Sequence, residues 1–221
     1  MNYSKITNKN GFTLIELMIA MLIGMIVVAA TITIYVITIK GSSDTMKSAQ
    51  LNQDLGIAAT IMTNDIRRAG YWGGAIVGAD LTTNPFSDIQ IYDFDGETDA
   101  CIVYTYDENG DAILDANEYY GFRGNSNSIE LKQSGSTTAD CTGVWVDMID
   151  SNVINVSPIR FTLTSVCAGT TLPCALASGA TGVELRNIDI SIDGFVSSDS
   201  SINTQISSLL KVRNNRVFTQ P

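Results

Sequence analysis

No charged residue interrupts residues 17–39. As a helix, those 23 residues rise about 34 Å at roughly 1.5 Å each, enough to cross a hydrocarbon core of about 30 Å. A cleaved secretory signal has a shorter apolar core and a small-residue cut site behind it, and Val36-Ile37-Thr38-Ile39-Lys40-Gly41 offers no such site. Lys5 and Lys9 lie on the N-terminal side, so the positive-inside rule keeps that end in the cytoplasm and exports the rest. The plain reading is a single-span anchor. Glu16, at the opening of the run, argues for more. A carboxylate in apolar surroundings is costly unless it finds a partner, and an anchor alone has no use for one.

The segment Gly11-Phe12-Thr13-Leu14-Ile15-Glu16-Leu17 closely resembles the class III signal of type IV pilins and of the pseudopilins of type II secretion. The resemblance implies that a prepilin peptidase cuts between Gly11 and Phe12 and that Phe12 is then N-methylated. It also gives Glu16 a partner: the new amino group of Phe12 on a neighbouring subunit, as helices bundle in a filament. Two opposite charges buried together cost far less than either alone. A subunit at the wrong axial step would leave both unpaired, so the pair would set register.

The chain is long enough for one spanning helix and one domain. It lacks histidine, so a His-based triad or His metal site is excluded. Residues 71–221 hold 19 Asp and Glu against 7 Lys and Arg, a balance of −12. That surface disfavours nucleic acid and anionic lipid. Cys101, Cys141, Cys167 and Cys174 all follow the apolar run, and an even count in an exported domain favours disulfides. Three connectivities are open. The favoured one closes the short Cys167–Cys174 loop and leaves Cys101 with Cys141. Without C-x-x-C, zinc is disfavoured.

Beyond Gly41-Ser42-Ser43, a site for a kink or loosened turn, Leu55, Ala58, Ala59, Met62, Ile66 and Ala69 recur at three-and-four spacing. This predicts one helix from about Phe12 to about Ala69, with Gly70 as its stop. Strands are predicted at 102–106, 128–132, 144–149, 159–163 and 188–192, with 120–123 a weaker one. Residues 197–201 read as a loop and 211–217 as a last strand. One helix followed by strands and polar turns argues for an α+β domain with antiparallel sheet. The resemblance implies the type IV pilin fold: a long N-terminal helix, with a membrane half and an amphipathic half, packed on that sheet. The expected divisions are a cleaved leader (1–11), a transmembrane and filament-core helix (12–40), its amphipathic continuation (41–70) and a disulfide-stapled, periplasmic, β-rich domain (71–221).

One loop could carry chemistry. Residues 107–118 place oxygens of Asp107, Asn109, Asp111, Asp115 and Glu118 at positions 1, 3, 5, 9 and 12 of an EF-hand-type calcium loop. Ile113 would supply its backbone carbonyl at position 7 and turn its side chain inward. Ala112 stands where glycine is expected, and the flanks look like strands. A solvated acidic hairpin loop is the alternative to Ca2+; no other cofactor is expected.

Further stretches resemble the PilW group of minor pilins: Asp65-Ile66-Arg67-Arg68-Ala69-Gly70-Tyr71-Trp72-Gly73, the acidic hairpin from Tyr104 to Arg123, and Val212-Arg213-Asn214. The GspJ-type pseudopilin of type II secretion is the runner-up. The resemblance implies a structural protein without a reaction of its own, which primes pilus assembly and sits at the tip. Its implied partners are the other minor pilins, the major pilin, the inner-membrane assembly platform and the prepilin peptidase. It would reside in the inner membrane before assembly and in the pilus afterwards. A tip adhesin using the polar loops after Cys141 is a second class of function. A paired-carboxylate hydrolase finds no support, because no two acids stand out from the solvated ones.

Overall fold

The computed structural model describes residues 11–133, 140–168, 174 and 176–220. The proposed leader therefore lies outside the described residues but for Gly11, as does most of the Cys167–Cys174 loop. The chain divides into two units, Met1–Met46 and Lys47–Pro221.

Helix α1, Leu14–Ile66, is 53 residues long. Thr13 opens it: its hydroxyl accepts from the Glu16 amide at 3.3 Å, the arrangement of an N-cap with an acid at the third helical position. Within the apolar run, Thr31, Thr33 and Thr38 donate their hydroxyls to carbonyls three or four residues back. These three hydroxyls need no water, which suits an apolar medium. The run is long and apolar enough to span a membrane. The helix continues through Gly41-Ser42-Ser43 without the expected break, and the Thr45 hydroxyl bonds the Gly41 carbonyl at 2.8 Å. It ends at Ile66, slightly before the predicted limit. Arg68 and Ala69 donate to carbonyls only three residues back, the tightened turn with which helices often finish. Gly70 follows at φ +78°, a left-handed conformation that glycine adopts without a Cβ penalty.

Among the described residues, nine strands form two antiparallel sheets. The first is a meander: β1 (Ile89–Phe94), β2 (Glu97–Thr105), β3 (Tyr119–Asn125), β4 (Ser128–Lys132) and β5 (Trp145–Asp147). The second has β6 (Ile154–Cys167), β7 (Thr181–Val196) and β8 (Asp199–Lys211) in that order, with β9 (Arg216–Thr219) beside the start of β7. This is the α+β arrangement of long helix and antiparallel sheet. The strands predicted at 120–123, 128–132, 159–163 and 188–192 fall inside β3, β4, β6 and β7, the one at 102–106 overruns β2 by one residue, and the one at 144–149 shrinks to the three residues of β5. The last is not one strand. Lys211 ends β8, 212–215 turn, and β9 begins at Arg216. The loop predicted at 197–201 shrinks to a turn at Ser197-Ser198, because Val196 already pairs with Asp199.

The core of the second unit lies between α1 and the sheets. Leu51, Leu55, Ala58, Met62 and Ile66 pack with Ile102, Phe122, Ile129, Phe161 and the alternating Ile188, Ile190 and Ile192. Period-2 alternation on β7 meets period-3.6 recurrence on α1, and each supplies one apolar face. Gly194 allows the close approach: a Cβ there would lie 2.6 Å from Leu55 Cδ1. A smaller cluster occupies another part of the first sheet, where Cys101, Val103 and Cys141 pack with Phe94 and Trp145. The Arg123 guanidinium lies 4.2 Å from the Phe94 ring and 4.4 Å from Trp145, and it donates to the Cys141 carbonyl. Disulfides join Cys101 to Cys141 and Cys167 to Cys174.

Leu55→Ala should destabilise the domain by about 2–5 kcal/mol, because it leaves a cavity against Gly194. Denaturant unfolding checks this; a loss below about 1 kcal/mol would mean that the helix is not a core element.

Candidate functional site

Phe12 and Glu16 flank the start of α1, about one turn apart. Phe12 is 83% exposed, and large apolar side chains from Leu14 to Ile39 are exposed with it. A cation at the Phe12 nitrogen and the acid in the first turn would sit at the same end of one rod. Glu16 also has a local role there, since a carboxylate in the first turn complements the helix dipole. Gly11 has no neighbour within 4 Å of where a Cβ would stand, so its backbone is open to approach.

The loop between β2 and β3 is built around two buried carboxylates. Asp107 is 1% exposed. Its oxygens accept from the amides of Gly110 at 2.6 Å, Gly73 at 2.8 Å and Ala112 at 2.9 Å. Glu118, also 1% exposed, accepts from the amides of Glu108 and Asp115. The amides fold the loop around the acids, and each Glu118 oxygen keeps a lone pair. Ala112 takes φ +67°, the left-handed turn that the sixth position of a calcium loop requires. Asn109 and Asp111 join this ring through each other and through the Ile113 amide. The Ile113 side chain is 64% exposed and does not point inward as expected; its position on the turn faces solvent. Among the described residues, no group of three or more acids or cysteines is gathered tightly enough to hold a metal as it stands. The turn at Ala112 is one feature that a calcium loop needs; the amides already on Asp107 and Glu118 compete with a cation for their oxygens.

A third cluster gives the quoted sequence stretches a structural reason. Asp65, at the end of α1, accepts from the phenols of Tyr104 and Tyr106. Arg68 bonds the Tyr106 phenol at 2.9 Å and lies over its ring. Tyr106 stacks flat on Tyr120 at 3.9 Å, and Tyr120 donates to Glu108. Burial, and then the Asp65 charge, push the phenols of Tyr104 and Tyr106 up. Burial and the bond to Glu108 do the same for Tyr120. These phenols therefore stay protonated as donors. Beside them lies an open groove of about 720 Å³, lined by Ile61, Asp65, Arg68, Tyr106, Tyr120 and Leu131 among others. Asn214 caps the helix exit through the carbonyls of Arg68 and Ala69. Buried Arg186 ties the Asn214 carbonyl to that of Ser87. Burial draws this guanidinium below its usual range, with Glu184 opposing. Sequence patterns alone did not single out Arg186 or Asp65 as network centres.

Two family models match the chain. The prokaryotic N-terminal methylation motif covers residues 6–32, and prepilin peptidase-dependent protein B covers residues 44–212. No curated protein and no solved structure matches. The second match takes in most of the chain, including all of β1 to β8, and the first takes in Gly11 to Glu16 and most of the apolar run. The chain belongs to the prepilin peptidase-dependent protein B family and is a type IV pilin-like protein.

Proposed function

We propose that this chain is a minor pilin of the PilW group that primes assembly of a type IV pilus and sits at its tip. The observation that carries the reading is a helix exposed on all sides over residues 14–39, with an acid in its first turn and a folded acidic domain at its other end. Such a helix suits a bilayer first and a bundle of like helices afterwards. Before assembly the chain is held in the inner membrane by residues 12–40, with its disulfide-linked domain in the periplasm. The peptidase removes residues 1–11, and Phe12 is methylated. Glu16 then meets the amine of an adjoining subunit, another minor pilin or the major pilin, as the assembly platform extrudes the filament. The chemistry needed is only charge matching and apolar packing, so no reaction is assigned.

Glu16→Ala should leave membrane insertion unchanged and sharply reduce the chain in sheared filaments. Immunoblots of the membrane and filament fractions check this, and normal incorporation would contradict it. Deleting the gene should abolish piliation. Intact pili with lost attachment would favour the adhesin reading, and lost secretion with intact pili would favour a pseudopilin.

We also propose that the 107–118 loop takes Ca2+. The holding atoms would be side-chain oxygens of Asp107, Asn109, Asp111, Asp115 and Glu118 and the Ile113 carbonyl. The support is the left-handed turn at Ala112 and five carboxylates, counting Glu108, in one loop without a basic residue. A bound cation would neutralise part of that charge and stiffen the hairpin. Titration calorimetry with calcium chloride should give saturable heat, and calcium should raise Tm by mass action. No heat at millimolar calcium would contradict the site.

A further inference from the structure

The outer strands of the two sheets differ in how they resist pairing with another chain. An exposed edge presents unpaired N–H and C=O groups, and folded proteins blunt it with charge, proline, bulges or shortness. β1 carries Asp93 and a register shift between Tyr92 and Phe94. β5 and β9 are three and four residues long. β6 contains Pro158 and Arg160 and shifts register between Val156 and Ile159. β8 has none of these along most of its 13 residues. From Asn203 to Lys211 it pairs continuously with β7, its one irregularity lying next to the turn. Residues 200–210 contain no charge, proline or glycine. Among the described residues β8 pairs with β7 alone, so its other side is an open template.

The helix fixes what can occupy it. Thr204 bonds Asn52 at 3.1 Å, and Ser208 lies 3.3 Å from Thr63 across their hydroxyls. Numbers rise together on both elements, so α1 and β8 run the same way. A second copy would pair β8 with β8 about a two-fold axis, antiparallel. The outer helix segments of the two copies, residues 47–66, would then point in opposite directions, against the side-by-side bundling that the minor-pilin reading requires. A different subunit of the same membrane orientation has no such conflict. Packing its helix beside α1 brings its domain to the edge that runs along α1. Asn203, Gln205, Ser207 and Leu209 are exposed, whereas Ile202, Thr204 and Ile206 face inward and are half-buried. Main-chain bonds would supply the affinity and the neutral side chains would tolerate it. Lys211, exposed at the end of the strand, would set register against an opposite charge.

We propose that the free edge of β8 is a strand-addition surface for an extended, uncharged segment of a different prepilin-type subunit anchored beside this one, an inference that rests on the minor-pilin reading. The test uses the full chain in cells that make the other prepilin-type subunits, with the photo-crosslinker p-benzoylphenylalanine in place of Gln205. The expected result is an adduct whose crosslinked peptide is a strand segment of another such subunit. Asn203→Lys with Ser207→Lys should abolish it, and Thr162→Lys with Thr164→Lys, at exposed positions of β6, should not. An adduct with a second copy of this chain would overturn the proposal. So would the absence of any adduct from position 205 while the same crosslinker at Ile26 captures a prepilin-type subunit, a result that leaves the minor-pilin reading standing. If neither position captures one, both readings fall.

Discussion

The constraint on which this molecule depends is apolar surface that its own fold leaves uncovered. From Leu14 to Ile39 the helix is exposed on every side, with its threonine hydroxyls returned to the backbone. Water is a poor solvent for so large an apolar area. A bilayer, or other helices, would cover it, and the proposed role exchanges one cover for the other. A pilin-like family membership and this exposed helix are two views of one requirement.

The outer half of the same helix meets the opposite condition. Leu55 and Met62 are wholly buried, and Gly194 lets the sheet come close enough to bury them. Its exit is fastened twice, by Asp65 through two tyrosine phenols and by Asn214 through the last carbonyls. Three of these four hydrogen bonds are part-buried, where a group left unpaired carries a cost. They tie the end of the helix to β2 and to the segment after β8.

Much of this was legible in the residues. The charge-free run and the three-and-four recurrence of Leu55, Ala58, Ala59, Met62 and Ile66 describe a helix in both halves, and alternation at Ile188, Ile190 and Ile192 describes β7. Strand ends were less so. The serines and Asp199 read as a loop because those residue types favour turns, yet cross-strand pairing with β7 carried the strand to Asp199. The Gly41-Ser42-Ser43 stretch stayed helical because residues helical on both sides outweigh a weak propensity. Ile113 turned outward because the Asx-type bonds of Asp111 and Asn109 shaped the loop locally. The network of Asp65, Arg68 and the tyrosines joins residues about 40 apart in sequence, and no periodicity reports such a meeting.

The central claim is a cut chain with a new positive end matched to a buried acid. Mass spectrometry of the N-terminal peptide, from protein purified out of peptidase-competent cells, tests it most directly. The account predicts a mature chain that starts at methylated Phe12. A peptide that still carries residues 1–11 would contradict it.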